Sequence, residues 1–175
     1  RLALEDYGIR VIAVDHEDEI AKLTRVVRAL DIDPATITVF VRIQTKGSAA
    51  YELSKKFGAG PAAAVELIDR LGRAGYRVGI CFHVGSQIED PDTYERALAS
   101  ADWVRNRAGV EIAGLDVGGG FPAEYGHDPN RRKPQMPSLD EIMARLRDDI
   151  SEWGFSGVPL VAEPGRVIVA RAFSL

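Results

Sequence analysis

Cysteine is nearly absent. Cys81 stands alone among 175 residues, so no disulfide can form within the chain, and a reducing, cytoplasmic setting is expected. Long apolar runs are missing too: none approaches the roughly 20 residues that a membrane-spanning helix needs, and no signal-peptide pattern opens the sequence. No membrane partner is therefore expected. Basic charge is not in excess, since the formal net charge is −4, which leaves no electrostatic case for nucleic acid. The one basic run, Arg131-Arg132-Lys133, sits among prolines and reads as a solvated loop. The chain opens on Arg1 rather than Met and stops shortly after a strand signal, so a fragment is expected.

What is present is an ordinary globular composition, 46% apolar and 27% charged, long enough to bury the core of one domain. Apolar, β-branched segments recur at Arg10–Asp15, Ile37–Ile43, Arg77–His83, Glu111–Val117 and Val158–Ala162. Helical periodicity fills the gaps. From about Asp18 to Leu30 it sets Ile20, Leu23, Val27 and Leu30 on one face. Pro61 opens a second helix, where its missing N–H costs nothing, with Leu67, Ile68 and Leu71 facing inward. Asp90-Pro91 starts a third, which carries Tyr94, Leu98 and Trp103. Ser138 and Glu141 form a capping box ahead of Ile142, Met143, Leu146 and Ile150. Strand and helix alternate throughout, which predicts an α/β fold with a parallel sheet.

Chemistry-bearing residues collect where those strands end. Asp116-Val117-Gly118-Gly119-Gly120 runs directly into Phe121-Pro122. Three glycines after a strand expose bare backbone N–H groups that can wrap a phosphate, because glycine admits positive φ and close approach. His83-Val84-Gly85-Ser86 and Glu163-Pro164-Gly165-Arg166 close two other strands in a comparable way, the second after a segment expected to be buried. Asp15 and Arg42 end two more, while the amino ends carry nothing comparable. In parallel α/β folds ligands bind at the carboxyl ends of the strands, so this rim is the expected site.

A doubly wound sheet would use one glycine-rich loop, but the dinucleotide G-x-G-x-x-G spacing fails here. Ligand-holding groups on strands far apart in sequence suit a closed ring instead. A (β/α)8 TIM barrel needs eight strands. Five are counted, so the chain is expected to supply a partial barrel.

These motifs, in this order, resemble the pyridoxal-phosphate-dependent ornithine/diaminopimelate/arginine decarboxylases, fold-type III enzymes with an alanine-racemase-like barrel and a C-terminal β domain. The resemblance rests on His83-Val84-Gly85-Ser86-Gln87, on Leu115-Asp116-Val117-Gly118-Gly119-Gly120-Phe121-Pro122 and on Glu163-Pro164-Gly165-Arg166. Arg42, in Val41-Arg42-Ile43, and Lys56-Phe57-Gly58 also match, so nearly the whole chain is covered. Gly-Gly-Gly-Phe-Pro resembles the ornithine decarboxylase branch; Gln87 is shared with the diaminopimelate branch and with some bacterial ornithine/lysine enzymes. The resemblance implies that residues 1–175 are a fragment of the cofactor-binding barrel, about five of its later strands. The family's Schiff-base lysine is then expected upstream of Arg1. Its C-terminal β domain, with the catalytic cysteine and aspartates, is expected beyond Leu175.

Residue by residue, the resemblance implies a site for pyridoxal 5'-phosphate. Arg166 would offer a planar fork of donors to the phosphate, helped by backbone N–H groups of Gly119, Gly120 and Gly165 and by the Ser86 hydroxyl. Glu163 would stand at the ring nitrogen and keep it protonated, so that the ring accepts electrons. The alanine racemases place an arginine there, so Glu163 favours decarboxylation over racemisation. His83 resembles the histidine that stacks on the ring face, and Arg42 joins the cofactor-binding set. His83 and Glu163 are thus the expected catalytic residues, and no metal is expected. Cys81 reads as small barrel filling on the His83 face. Asp116 reads either as an acceptor in the site or as a structural strand-end residue. Lys56 resembles a lysine at the interface of a homodimer.

The implied reaction is decarboxylation of a small basic amino acid, L-ornithine or L-lysine, to its diamine, in polyamine biosynthesis. Two alternatives stay open at this point: diaminopimelate decarboxylation, and a catalytically dead, antizyme-inhibitor-like homologue that regulates by binding partners. Glu163 and Arg166 together weigh against the second. By itself the fragment is expected to be inactive.

Overall fold

The computed structural model describes residues 1–45, 49–51, 56–123, 137–170 and 172. The basic run Arg131-Arg132-Lys133 lies outside the described residues. In chain order the elements are α1 (Leu2–Glu5), β1 (Val11–Val14), α2 (Glu17–Ala29), a 3-10 turn (Pro34–Thr36), β2 (Thr38–Arg42), β3 (Ala49–Tyr51) and α3 (Pro61–Arg73). There follow β4 (Arg77–Cys81), β5 (Ser86–Ile88), α4 (Asp92–Arg105), β6 (Leu115–Asp116), α5 (Leu139–Glu152), β7 (Leu160–Val161) and α6 (Arg166–Val169).

Helices start where local chemistry satisfies their first N–H groups. Pro61 is the first residue of α3. Before α4, Asp90 Oδ1 accepts the Asp92 N–H at 3.0 Å, so the helix begins just past Asp90-Pro91. The capping box of α5 closes both ways: Ser138 Oγ accepts the Glu141 N–H at 3.2 Å, and Glu141 Oε2 accepts the Ser138 N–H at 2.8 Å. Each cap of this kind is worth about 1 kcal/mol.

The strands β1, β2, β4, β6 and β7 form one parallel sheet in that order. Sheet order follows chain order, without the reversal that marks a doubly wound sheet. An arc of a barrel has this arrangement. One face carries Val39, Val41, Val78, Ile80 and Leu115, which merge with Leu23, Val27, Leu67, Ile68, Leu71, Leu98, Val104 and Leu146 of α2 to α5 in a single core. Each such side chain, fully buried, contributes roughly 1.5–3 kcal/mol by leaving water.

The other face is set by register. Phe40 pairs with Gly79, Arg42 with Cys81, and Cys81 with Asp116, so these residues share a side. The Phe40 ring fills space that two glycines leave open: a Cβ on Gly79 would fall 2.5 Å from it, and one on Gly114 3.1 Å. Large residues against small ones are how a barrel interior is filled. Toward the carboxyl ends the same face turns polar, with Arg42 and Asp116.

Four expectations are corrected. Glu111–Val117 contracts to Leu115–Asp116, and Val158–Ala162 to Leu160–Val161. The strand before Glu163 is not buried: β7 is the end strand of the sheet, and Leu160 and Val161 are 49% and 43% exposed. Met143 does not join Ile142 and Leu146 in the core; one position off their stripe, it is exposed. An antiparallel pair that periodicity does not announce, β3 with β5, matches Ala49 to Ile88 and Tyr51 to Ser86.

Candidate functional site

Five strand ends supply one rim. Asp15 follows β1, Arg42 ends β2, His83 follows β4, Asp116 ends β6 and Glu163 follows β7. Because the strands are parallel, all five lie at the same end of the sheet. Four of them are close enough to act on one another electrostatically, since Arg42 and Asp116 both perturb His83 and Glu163.

Three loops meet at the glycines. The Glu163 N–H donates to the Gly118 carbonyl at 2.8 Å, and the Ile88 N–H donates to the Gly120 carbonyl at 3.1 Å. A Cβ on Gly119 would lie 2.6 Å from the Glu163 carbonyl oxygen and 3.3 Å from His83 Nε2. Gly120 has φ +104°, and a Cβ there would strike the Gly85 carbonyl. Only glycine lets the turns after β4, β6 and β7 come this close. Among the described residues, neither Gly119 nor Gly120 donates its N–H to an acceptor in the chain. Asp116 Oδ1 accepts the Gly118 N–H at 2.8 Å, which makes Asp116 the structural acceptor of the turn while its charge still reaches the rim.

His83 is half-buried, and its carbonyl accepts the hydroxyl of buried Thr45 at 3.2 Å. Its Nδ1 accepts the Gly85 N–H at 3.1 Å, so in the neutral ring the proton sits on Nε2. Burial first, then Arg42, pushes the imidazole pKa below its ordinary value against the pull of Asp116. The ring is therefore neutral at physiological pH. Glu163 moves the other way: burial first, then Asp116, raises its carboxyl pKa, with Arg42 opposing.

Arg42 is half-buried, its guanidinium 5.1 Å from the centre of the Phe57 ring. Ser86 opens β5 and is half-buried; Arg166 is exposed as the first residue of α6. Gly165 has an ordinary φ of −88°, and among the described residues nothing beyond its chain neighbours lies within 4 Å of where its Cβ would stand. The fold gives no reason for glycine there. Lys56 is exposed. Cys81 is buried, and burial followed by Asp116 pushes its pKa up to about 12, so it is an inert packing residue.

Three supporting residues take roles that sequence reasoning does not assign. Gln87 pairs both ways with the Ala123 backbone: its Nε2 donates to the Ala123 carbonyl at 3.0 Å and its Oε1 accepts the Ala123 N–H at 2.8 Å. It thereby clamps β5 to the chain just past the glycines; its one local signal is its place after Gly85-Ser86. Asp15 Oδ2 accepts the Gly58 N–H at 2.8 Å and ties the end of β1 to the segment before α3. Tyr94, on α4, donates its hydroxyl to the Gly119 carbonyl at 3.0 Å.

The model of the pyridoxal-dependent decarboxylases, pyridoxal binding domain, matches residues 1–170. The lysine/ornithine decarboxylase of Selenomonas ruminantium is 33% identical over 99% of this chain and 42% of its own length. The ornithine decarboxylase of Cricetulus griseus is 34% identical over 96% of this chain and 35% of its own. A crystal structure of an SrLDC mutant in complex with PLP superposes with a TM-score of 0.79 at 33% identity, covering 95% of this chain and 41% of that one. The chain thus spans less than half the length of each. The matched residues run from α1 through α6 and include every strand end of the rim, and the chain belongs to the pyridoxal-dependent decarboxylase family, within its pyridoxal binding domain.

Proposed function

We propose that the full-length protein decarboxylates a small basic amino acid, L-ornithine or L-lysine, with pyridoxal 5'-phosphate, and releases the diamine. The observation that carries this reading is the meeting of three loops at Gly119, whose Cβ position lies 3.3 Å from His83 Nε2 and 2.6 Å from the Glu163 carbonyl oxygen. An imidazole, bare amides and the backbone of Glu163 thereby meet at one rim. The names of the two relatives support the substrate class.

The residues present fit the cofactor. Among the described residues, the N–H groups of Gly119 and Gly120 have no acceptor in the chain, and Gly165 leaves open space that the fold does not require. Both features suit an anion approaching from outside. Arg166, the Ser86 hydroxyl and the amides of Gly119, Gly120 and Gly165 would hold the phosphate. His83, neutral and fixed in one tautomer, would lie against the ring without adding positive charge. Glu163 would stand at the ring nitrogen, where a carboxylate favours the protonated ring; burial raises its own carboxyl pKa. Arg42, also in the cofactor-binding set, limits that rise. The bound cofactor supplies an acceptor for the electron pair left when carbon dioxide departs. A homodimer with Lys56 at its interface, a cytoplasmic location and a place in polyamine biosynthesis complete the proposal.

The test is carbon dioxide release by the cofactor-loaded, full-length protein from ornithine, lysine and diaminopimelate. Activity on ornithine or lysine is expected; none on any of the three removes the decarboxylase reading, and preference for diaminopimelate removes the substrate assignment. Glu163→Gln should lower turnover at least about tenfold, or roughly 1.4 kcal/mol of barrel-bound transition-state stabilisation, with cofactor absorbance little changed. Intact turnover with lost cofactor would make Glu163 an anchor instead.

A further inference from the structure

Tyr94 heads the fully buried side chains by size, and its hydroxyl is spent on one carbonyl. The helix does not call for a polar atom at this position, because Ala97, Leu98, Ala101 and Val104 continue the buried face of α4. The ring packs on Phe121, with centroids 5.6 Å apart and planes 21° from parallel. Phenylalanine would keep that contact. Burial raises the phenol pKa well above its ordinary value, so the hydroxyl stays a neutral donor.

The carbonyls of the glycine triplet are held by three different donors. Gly118 accepts from the Glu163 N–H and Gly120 from the Ile88 N–H, both backbone groups. Gly119 accepts from Tyr94, the one side chain of the three. No cis peptide occurs among the described residues, and in a trans peptide the C=O of one residue and the N–H of the next point in opposite directions. With the Gly119 carbonyl drawn toward α4, the Gly120 N–H faces away from the helix layer. It emerges at a half-buried glycine where no described residue accepts it. A peptide between two glycines rotates easily, since neither has a Cβ to restrain it.

We infer that Tyr94 is a positioning residue: through the Gly119 carbonyl it orients the Gly119–Gly120 peptide so that the Gly120 N–H is presented to an anionic group at the rim. This rests on the cofactor reading above and deepens it, identifying that group as the phosphate of pyridoxal phosphate. Tyr94 itself touches no ligand.

The experiment compares Tyr94→Phe with wild type in the full-length protein, titrating each with pyridoxal phosphate and with pyridoxal, which lacks the phosphate. The expected result is a loss of about tenfold in affinity for pyridoxal phosphate with pyridoxal affinity held within about twofold, and little change in the Tm of the cofactor-free protein. Equal losses for both ligands, or no loss for either, overturn the inference while leaving the cofactor reading in place. Wild type that binds neither ligand overturns both. Should Tyr94→Phe fail to fold, wild type labelled with 15N-glycine and titrated with inorganic phosphate decides. A shift of the Gly120 amide resonance is expected, and its absence overturns the assignment.

Discussion

Gly119→Ala places a methyl group where three strand ends meet, and the structure sets the size of the consequence. The added carbon would stand 2.6 Å from the Glu163 carbonyl oxygen and 3.3 Å from His83 Nε2. Carbon and oxygen ordinarily approach to about 3.3 Å, so the turns after β6 and β7 must part by roughly 0.7 Å. That displacement falls on the 2.8 Å bond from the Glu163 N–H to the Gly118 carbonyl. Lengthened by as much, the bond passes the ordinary limit of about 3.2 Å. Gly119 is buried, so the strain has no free surface to relax into. Overpacking of this kind costs about 1–3 kcal/mol. At about 2–4 °C per kcal/mol for a domain of this size, the cofactor-free protein should melt roughly 2–12 °C lower. Pyridoxal phosphate should also bind more weakly, because the amides and Glu163 move apart. Gly157→Ala is the control: among the described residues nothing beyond its chain neighbours lies within 4 Å of its Cβ position. Thermal denaturation followed by circular dichroism, with a cofactor titration on the same samples, reads both effects. If Gly119→Ala melts together with Gly157→Ala, the close approach of the loops is refuted.

Two further perturbations reach beyond the rim. Asp149, buried on α5, has an Oδ2 without a hydrogen bond, 3.9 Å from Arg145 Nε, and the Trp153 Nε1 one turn on is also without one. Burial raises the Asp149 pKa against Arg145, and Glu95, Glu152 and Asp148 raise it further. A raised folded pKa favours folding below the unfolded value of about 3.9, and that contribution is lost as pH rises through the folded pKa. Asp149→Asn should therefore stabilise at pH 7, on the order of 1 kcal/mol, with the gain fading toward pH 4. Destabilisation at pH 7, or a gain that persists unchanged in acid, would contradict this. Cys81, its pKa pushed up to about 12, should react with iodoacetamide at pH 8 at least roughly a thousandfold more slowly in the native protein than in urea; comparable rates would place the thiol at an accessible surface.

The parallel sheet was legible because Ile37–Ile43 and Arg77–His83 are β-branched runs of strands that bury one face fully, and such runs need no distant partner to be recognised. Pro61 and Ser138 marked helix starts because capping is chemistry among neighbours in sequence. The exposure of β7 was not legible. Leu160 and Val161 look like core, and only their place at the end of the sheet decides otherwise. Nor was the pairing of β3 with β5, whose three-residue strands are too short for alternation to register. At the site, His83, the glycines and Glu163 could be found because each ends a strand. Tyr94 could not: in a helix's apolar stripe it reads as packing, and the hydroxyl's reach to Gly119 depends on how α4 lies over the glycine turn. Asp116 could be read two ways until its bond to the Gly118 N–H was located.

The strand order β1-β2-β4-β6-β7 is also the order of synthesis. Each strand leaving the ribosome finds its sheet neighbour already made, and the helix just before it covers the new pair. Growth by one unit at a time keeps contacts short in sequence, the condition for rapid folding, and lets the N-terminal part organise first. The leading edge, with its unpaired N–H and C=O groups, stays adhesive until the next strand arrives. Among these five strands, the rim is completed only with β7. Glu163 reaches Gly118 only after β7 has joined β6, so the glycine amides are not assembled with their carboxylate until β7 has emerged. The meeting of the glycine turn with Glu163 is thus timed by the completion of a single two-residue strand.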